Sequence, residues 1–180
     1  MSKKTAIGVG VLLVGLCVFG RMIDHVPNFT PLAAAALFAG FLFSRRLVAV
    51  IVILAAMVVS DIFIGTYHFG VMLTVYAALL FPVALRSVLK KQLTAPRVVG
   101  CALLSSVVFF LVTNFAHWLF MGMYPQTLAG LLTGYAAALP FFKYQLAGDL
   151  FWSAILFGGY ALSCRCLPLL QLQATRPVRT

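Results

Sequence analysis

The chain alternates long apolar runs with short polar breaks, and the runs have the lengths of helices that cross a bilayer. Six stand out, at about residues 5–20, 30–44, 47–65, 69–85, 98–121 and 144–163. A hydrocarbon core of ~30 Å takes about 20 helical residues, within a range of about 17–25. The first two runs are short on that count, so their ends extend into the polar flanks or the bilayer thins around them. A further apolar stretch, residues 125–140, is bracketed by Pro125 and Pro140. At about 14 residues between its prolines it suits a short re-entrant or interfacial helix in an outer loop better than a span. The pattern predicts an all-α integral membrane protein. It is a six-helix transmembrane bundle with that short helix in its last outer loop, one domain over residues 1–168, and a cytoplasmic tail over 169–180.

Composition agrees. Hydrophobic residues make up 63% of the 180 residues and charged residues only 9%, against about 25% in soluble domains. That leaves too little polar surface to cover a water-soluble globule. The three acids are Asp24, Asp61 and Asp149, and the chain has no glutamate, which removes the HExxH zinc proteases and every other glutamate-dependent mechanism.

The net charge of +10 fits either nucleic acid or the positive-inside rule, and its distribution decides. With six spans and the N-terminus inside, Lys3, Lys4, Arg45, Arg46, Arg86, Lys90, Lys91, Arg97, Arg165, Arg176 and Arg179 fall inside, and only Arg21 and Lys143 outside. Seven spans would worsen that split to nine against four, so six spans with both termini cytoplasmic fit better, and nucleic acid is not a partner. Lys3 and Lys4 before an apolar run resemble a signal peptide, but no small-x-small cleavage site follows before Arg21, so the run reads as a retained span. The four cysteines, Cys17, Cys101, Cys164 and Cys166, lack zinc-site spacing and read as packing residues. Phosphate-loop, dinucleotide, GxSxG, voltage-sensor and potassium-filter patterns are all missing, and no resident cofactor is called for.

The polar residues fall in one half of the expected bundle. Asp24, His25, Asn28 and His68 lie in outer loops, and Asp61 lies near the outer end of the third span. Asn114, His117 and Trp118 occupy the outer third of the fifth span. Tyr124, Gln126 and Tyr135 sit in the last outer loop, and Asp149 in the outer third of the sixth span. Ionisable groups at membrane depth are costly and usually face a bundle interior or a wet cavity. Asn114 and His117, three apart, share a helix face that meets the next span and Asp149. An outward cavity lined by Asp61, Asn114, His117 and Asp149 is therefore expected, against the simpler reading of helix–helix glue. Trp118, Tyr124, Tyr135 and Tyr144 also suit an aromatic belt. Ala6-x-x-x-Gly10, Ala35-x-x-x-Ala39 and Ala36-x-x-x-Gly40 offer smooth faces for close helix contact.

Several segments carry a resemblance: Pro27-Asn28-Phe29-Thr30-Pro31, Ser60-Asp61, Thr113-Asn114-Phe115, Tyr124-Pro125-Gln126-Thr127-Leu128-Ala129-Gly130-Leu131 and Gly148-Asp149-Leu150. Together they resemble an uncharacterised family of small bacterial transport proteins. The layout is also similar to the substrate-binding S components of energy-coupling-factor (ECF) vitamin transporters, the solitary cobalamin type included. That resemblance implies a bacterial inner-membrane protein with six spans, cytoplasmic termini and a pocket built from outer loops and outer helix ends. It also implies a coupling subunit and ATPases as partners, docked on an Ala-x-x-x-Ala pair in the first span, where this chain has Ala6 and Gly10. Cobalamin-type members meet the cobalt with a cysteine. Here Cys17 is the outer-side cysteine, and His68 and His117 are the conjectural metal ligands, since imidazole suits such metals.

The sequence thus points to a transport protein capturing a small vitamin-type solute from outside. Its expected ligand-binding residues are Asn28, Asp61, His68, Asn114, His117, Trp118, Tyr124, Tyr135 and Asp149, with membrane lipid around the bundle. The runner-up is an intramembrane enzyme using His117 with Asp61 or Asp149, and a third reading is a non-catalytic subunit of a membrane complex. The orientation is directly testable: green fluorescent protein fused after Arg179 should fluoresce and alkaline phosphatase at the same point should be inactive, whereas active phosphatase there would invert the topology.

Overall fold

The computed structural model describes residues 2–23 and 27–174, with side chains through Arg165. Among the described residues the chain is helical, without strands: α1 (Lys3–Met22), α2 (Leu32–Leu42), α3 (Arg46–Ile64), α4 (Phe69–Ala84), α5 (Arg86–Lys91), α6 (Ala95–Met121) and α7 (Leu128–Ala174). Five stretches are long and apolar enough to cross a membrane: α1, α3, α4 continued by α5, α6 and the Leu128–Arg165 part of α7.

α2 occupies the centre. Its 11 residues make a helix only ~16 Å long, about half the thickness of a bilayer core. Residues 31–40 are all buried, and α2 touches every other helix. The sequence explains this position. A helix that is apolar on all sides belongs inside, and Ala33, Ala34, Ala35, Ala36, Ala39 and Gly40 let five neighbours approach its backbone. The closest approach is at Gly40, where an added Cβ would sit 3.0 Å from both the Cα and the carbonyl oxygen of Val83 on α4. Phe38 and Phe41 fill the side toward α7, with Phe38 edge-on to Phe157 at 5.2 Å and Phe41 edge-on to Tyr160 at 5.4 Å.

Around α2 the others form an arc in the order α1, α3, α4, α6, α7, and α1 and α7 do not touch. The connection into α2 bridges that gap. Pro31 rests on Gly20 of α1, and the Phe29 backbone rests on Gly148 of α7, where a Cβ would come within 3.0 Å. The two ends of α2 differ in chemistry. At its C-terminus Lys90 Nζ donates to the Phe43 carbonyl at 3.1 Å and Arg86 to the Ser44 carbonyl at 2.8 Å, so basic side chains meet the negative end of the helix dipole. At its N-terminus Pro31 supplies no side-chain cap.

One expectation is corrected. Residues 125–140 do not form a separate re-entrant or interfacial helix. From Leu128 they are the first part of α7, which continues unbroken through Pro140. Proline removes one backbone donor and strains the turn before it. Packing along α6 outweighs that cost here: Phe110 meets Phe142 at 4.6 Å, and the Tyr135 hydroxyl donates to the Leu111 carbonyl at 2.7 Å. α7 runs on to Ala174, past the expected start of the tail at residue 169. Asp24, His25 and residues 175–180 lie outside the described residues.

The packing of α2 makes a contrast in melting temperature. Gly40→Val should destabilise the detergent-solubilised protein by about 1–3 kcal/mol through overpacking. Gly159→Ala, where an added Cβ meets nothing within 4 Å, should stabilise it by about 0.5–1 kcal/mol. A neutral Gly40→Val would show that α2 does not pack tightly on α4.

Candidate ligand-binding site

Because α2 is short, it stops short of the ends of α3 and α6, and a cavity opens over its first turn, lined there by Leu32 and Ala33. The cavity has a volume of ≈ 280 Å³ and takes its wall from every long helix: Arg21, Met57, Leu79, Phe109, Gln145 and Asp149 are among its lining. A second cavity of ≈ 190 Å³ adjoins it, lined by Asn114 and His117. Asn28, Phe109, Thr113 and Gln145 line both. Asn28 is itself exposed and holds the left-handed conformation, φ 65°, which asparagine tolerates better than most residues.

The polar groups around the cavities divide into two clusters. On the α1–α3–α4 side, Arg21 Nη1 donates to Asp61 Oδ1 at 2.7 Å and also to Ser60, with Met57 Sδ at 3.6 Å. The other Asp61 oxygen accepts from the Tyr76 hydroxyl at 2.7 Å, so this carboxylate is satisfied on both sides. Beyond it in the α3–α4 loop, burial pushes the Tyr67 phenol up and the Asp61 charge adds to the effect, so that phenol stays neutral. On the α6–α7 side, Ser106 donates to Asp149 Oδ2 at 2.6 Å, and Gln145 Nε2 donates to the Ser106 carbonyl at 3.0 Å. Gln145 and Asp149, four apart, share one face of α7.

Of the nine residues expected to bind ligand, the structure places four on the cavities: Asn28 and Asp149 on the larger, and Asn28, Asn114 and His117 on the smaller. The other five hold the scaffold. Asp61 is consumed by Arg21 and Tyr76. His68 caps α4 by accepting from the Gly70 N–H and stacks on Phe120 at 5.5 Å. Trp118 donates to the Pro125 carbonyl, and Gln126 donates back to the Trp118 carbonyl, closing the α6–α7 turn. Tyr124 packs on Gly134, and Tyr135 anchors α7 to α6. Among the described residues no three His, Cys, Asp or Glu side chains gather as a metal site, and Cys17, the expected cobalt-side cysteine, is fully buried between helices. His117 bonds neither aspartate.

Sequence reading missed Arg21, Gln145, Ser106 and Tyr76. Arg21 was legible in principle, since a lone base among outer-side acids at the end of an apolar helix needs a counter-ion. Gln145 was legible as the polar residue one turn before Asp149.

These features define a multi-pass helical membrane protein whose bundle holds a polar cavity at one end. The chain belongs to the family of unknown function DUF6580, whose model matches residues 1–170. No curated protein and no solved structure matches it.

The ion pair yields a double-mutant prediction. Arg21→Met alone should cost about 3–5 kcal/mol by leaving Asp61 without its cation. Combining it with Asp61→Leu should recover much of that loss. Additive losses in detergent melts would show that the pair is not coupled.

Proposed function

We propose that this chain is a membrane transport protein, S-component-like, that captures a small organic solute of vitamin type from the outer side of a bacterial inner membrane. In this reading it crosses six times, α2 being the short second crossing, and both termini are cytoplasmic. The observation that carries the reading is the cavity over α2, with the buried Asp149 carboxylate on its wall. Side chains that served only as glue between helices would be paired with one another and leave no cavity. The Asp61 carboxylate, taken up by Arg21 and Tyr76, meets that description, whereas Asp149 keeps one oxygen without a donor on the cavity wall.

The charge pattern supports the direction. Arg45, Arg46, Arg86, Lys90 and Lys91 gather at the α2 C-terminal end, opposite the cavity, as the positive-inside rule requires for a cavity facing out. The volume favours solutes at or below drug size, because ≈ 280 Å³ lies near the bottom of the usual range of about 300–1,000 Å³. A cobalamin, several times bulkier, would need the α1–α2 connection to lift off Gly148. Release inward would come from tilting of the bundle or from an ECF-type coupling subunit with its ATPases. An apolar groove of ≈ 510 Å³ between α1 and α3, lined by Ala6, Gly10 and Ala55, is the surface such a subunit would meet. The enzyme reading draws no support from the hydrogen bonds of the described residues, among which His117 pairs with neither Asp61 nor Asp149.

A thermal-shift screen of the purified full chain against vitamins and cofactors tests the proposal. A ligand at a hundredfold excess over its Kd stabilises its protein by about 2.7 kcal/mol. One compound should raise the melting temperature, and Asp149→Asn should abolish the rise. Silence across the panel, confirmed by radioligand uptake at background level, would move the chain to the class of structural subunits.

A further inference from the structure

The cavity over α2 is electrically lopsided. Asp149 is 4% exposed, and Ser106 satisfies only its Oδ2. Its Oδ1 meets no donor among the described residues. Gln145, 7% exposed, spends its amide N–H on the Ser106 carbonyl and leaves its own oxygen without a donor. The α7 wall therefore presents two acceptors on largely buried residues, one of them a carboxyl oxygen. Arg21 is the only basic side chain among the described residues that line the cavity, and Asp61 already neutralises it. With that pair cancelled, an ionised Asp149 gives the described lining one negative charge. An uncompensated charge inside a low-dielectric bundle is costly, and it is relieved most fully by an opposite charge at hydrogen-bond distance.

The floor carries the reverse polarity. The backbone N–H groups of Leu32, Ala33 and Ala34 precede the first hydrogen bond of α2, which Ala35 N makes to the Pro31 carbonyl at 2.8 Å. Leu32 and Ala33 line the cavity, and no side chain caps them. They are donors at the positive end of a buried helix. Between wall and floor the lining is apolar, with Leu79, Val75 and the Phe109 ring.

We infer that the solute is a small organic monocation, with its protonated nitrogen on Asp149 and Gln145, an apolar or aromatic body along Phe109 and Leu79, and an oxygen acceptor toward the first turn of α2. This rests on the solute-binding reading above and narrows it by charge. A monocation brings the site to neutrality. A zwitterion leaves it negative, and an anion sets two like charges in one cavity. A neutral solute leaves Asp149 without a counter-charge.

The test uses matched probes that differ only in the group facing Asp149. Tyramine, tyrosol and 4-hydroxyphenylacetate form one series, and histamine, imidazole-ethanol and imidazole-acetate another. Each is titrated calorimetrically into the purified full chain in a non-ionic detergent, and the hit from the vitamin panel is added with its own charge variants. The cations should bind at least about tenfold more tightly than their neutral partners. Asp149→Asn should erase that preference, while Tyr76→Phe, which removes a hydrogen bond from the paired cluster but no charge, should leave its sign unchanged. Equal binding of neutral members, or preference for the carboxylates, overturns the inference and leaves solute binding standing. If the panel hit is neutral or anionic and no cation competes with it, the inference also falls. If neither panel nor probes bind, solute binding itself falls and takes the inference with it. The charge preference is read on the wild-type chain, so the test survives a variant that fails to fold.

Discussion

The fold depends on burying a helix too short to cross a bilayer by itself. α2 has no polar face to give to water and no length to give to lipid, so it is stable only inside a ring of longer helices. Lipid tails are as apolar as the side chains, so no hydrophobic force draws helices together in a bilayer, and close packing must do it. The alanines of α2 and Gly40 provide that closeness. Lys90 and Arg86 then hold the carbonyl end of α2, which fixes its depth. The space left over its amino end is the direct consequence, since long neighbours of 16 to 47 residues enclose a centre of 11.

Two acids at similar positions near that space have different fates because of what surrounds them. Asp61 lies where three helices bring a guanidinium, a hydroxyl and a phenol to one point, and a buried charge so paired is a structural element. Asp149 lies where α6 offers a single serine. Gly148, directly before it, lets the Phe29 backbone lie against α7, so the connection closes the gap between α1 and α7 beside the carboxylate. The gap, the glycine and the unneutralised acid lie together at one edge of the bundle.

Much of this was legible in the chain. The apolar runs, the clustering of basic residues at one end and the confinement of polar residues to the other follow from the cost of placing polar or charged groups in hydrocarbon, and each acts on local sequence. Asn28, Asn114, His117 and Asp149 were legible as cavity candidates for the same reason. The aromatic and histidine candidates were not resolved, because a ring at the end of a span suits a ligand, a turn or the bilayer interface equally well. Trp118 and His68 went to the turn and the cap. The prolines at 125 and 140 suggested an isolated short helix, and the extended contact with α6 prevailed over the local break.

By itself, then, the sequence determined that the chain is a helical membrane protein with its polar chemistry at one end, because hydropathy and charge are properties of individual residues. Only the tertiary structure decided which of Asp61 and Asp149 meets a cation. That outcome depends on whether Arg21 on α1 reaches α3 or α7, a matter of helix order and rotation. The arc of helices around α2 brings Arg21 to Asp61 and leaves Asp149 on the cavity wall with Ser106 as its hydrogen-bond partner.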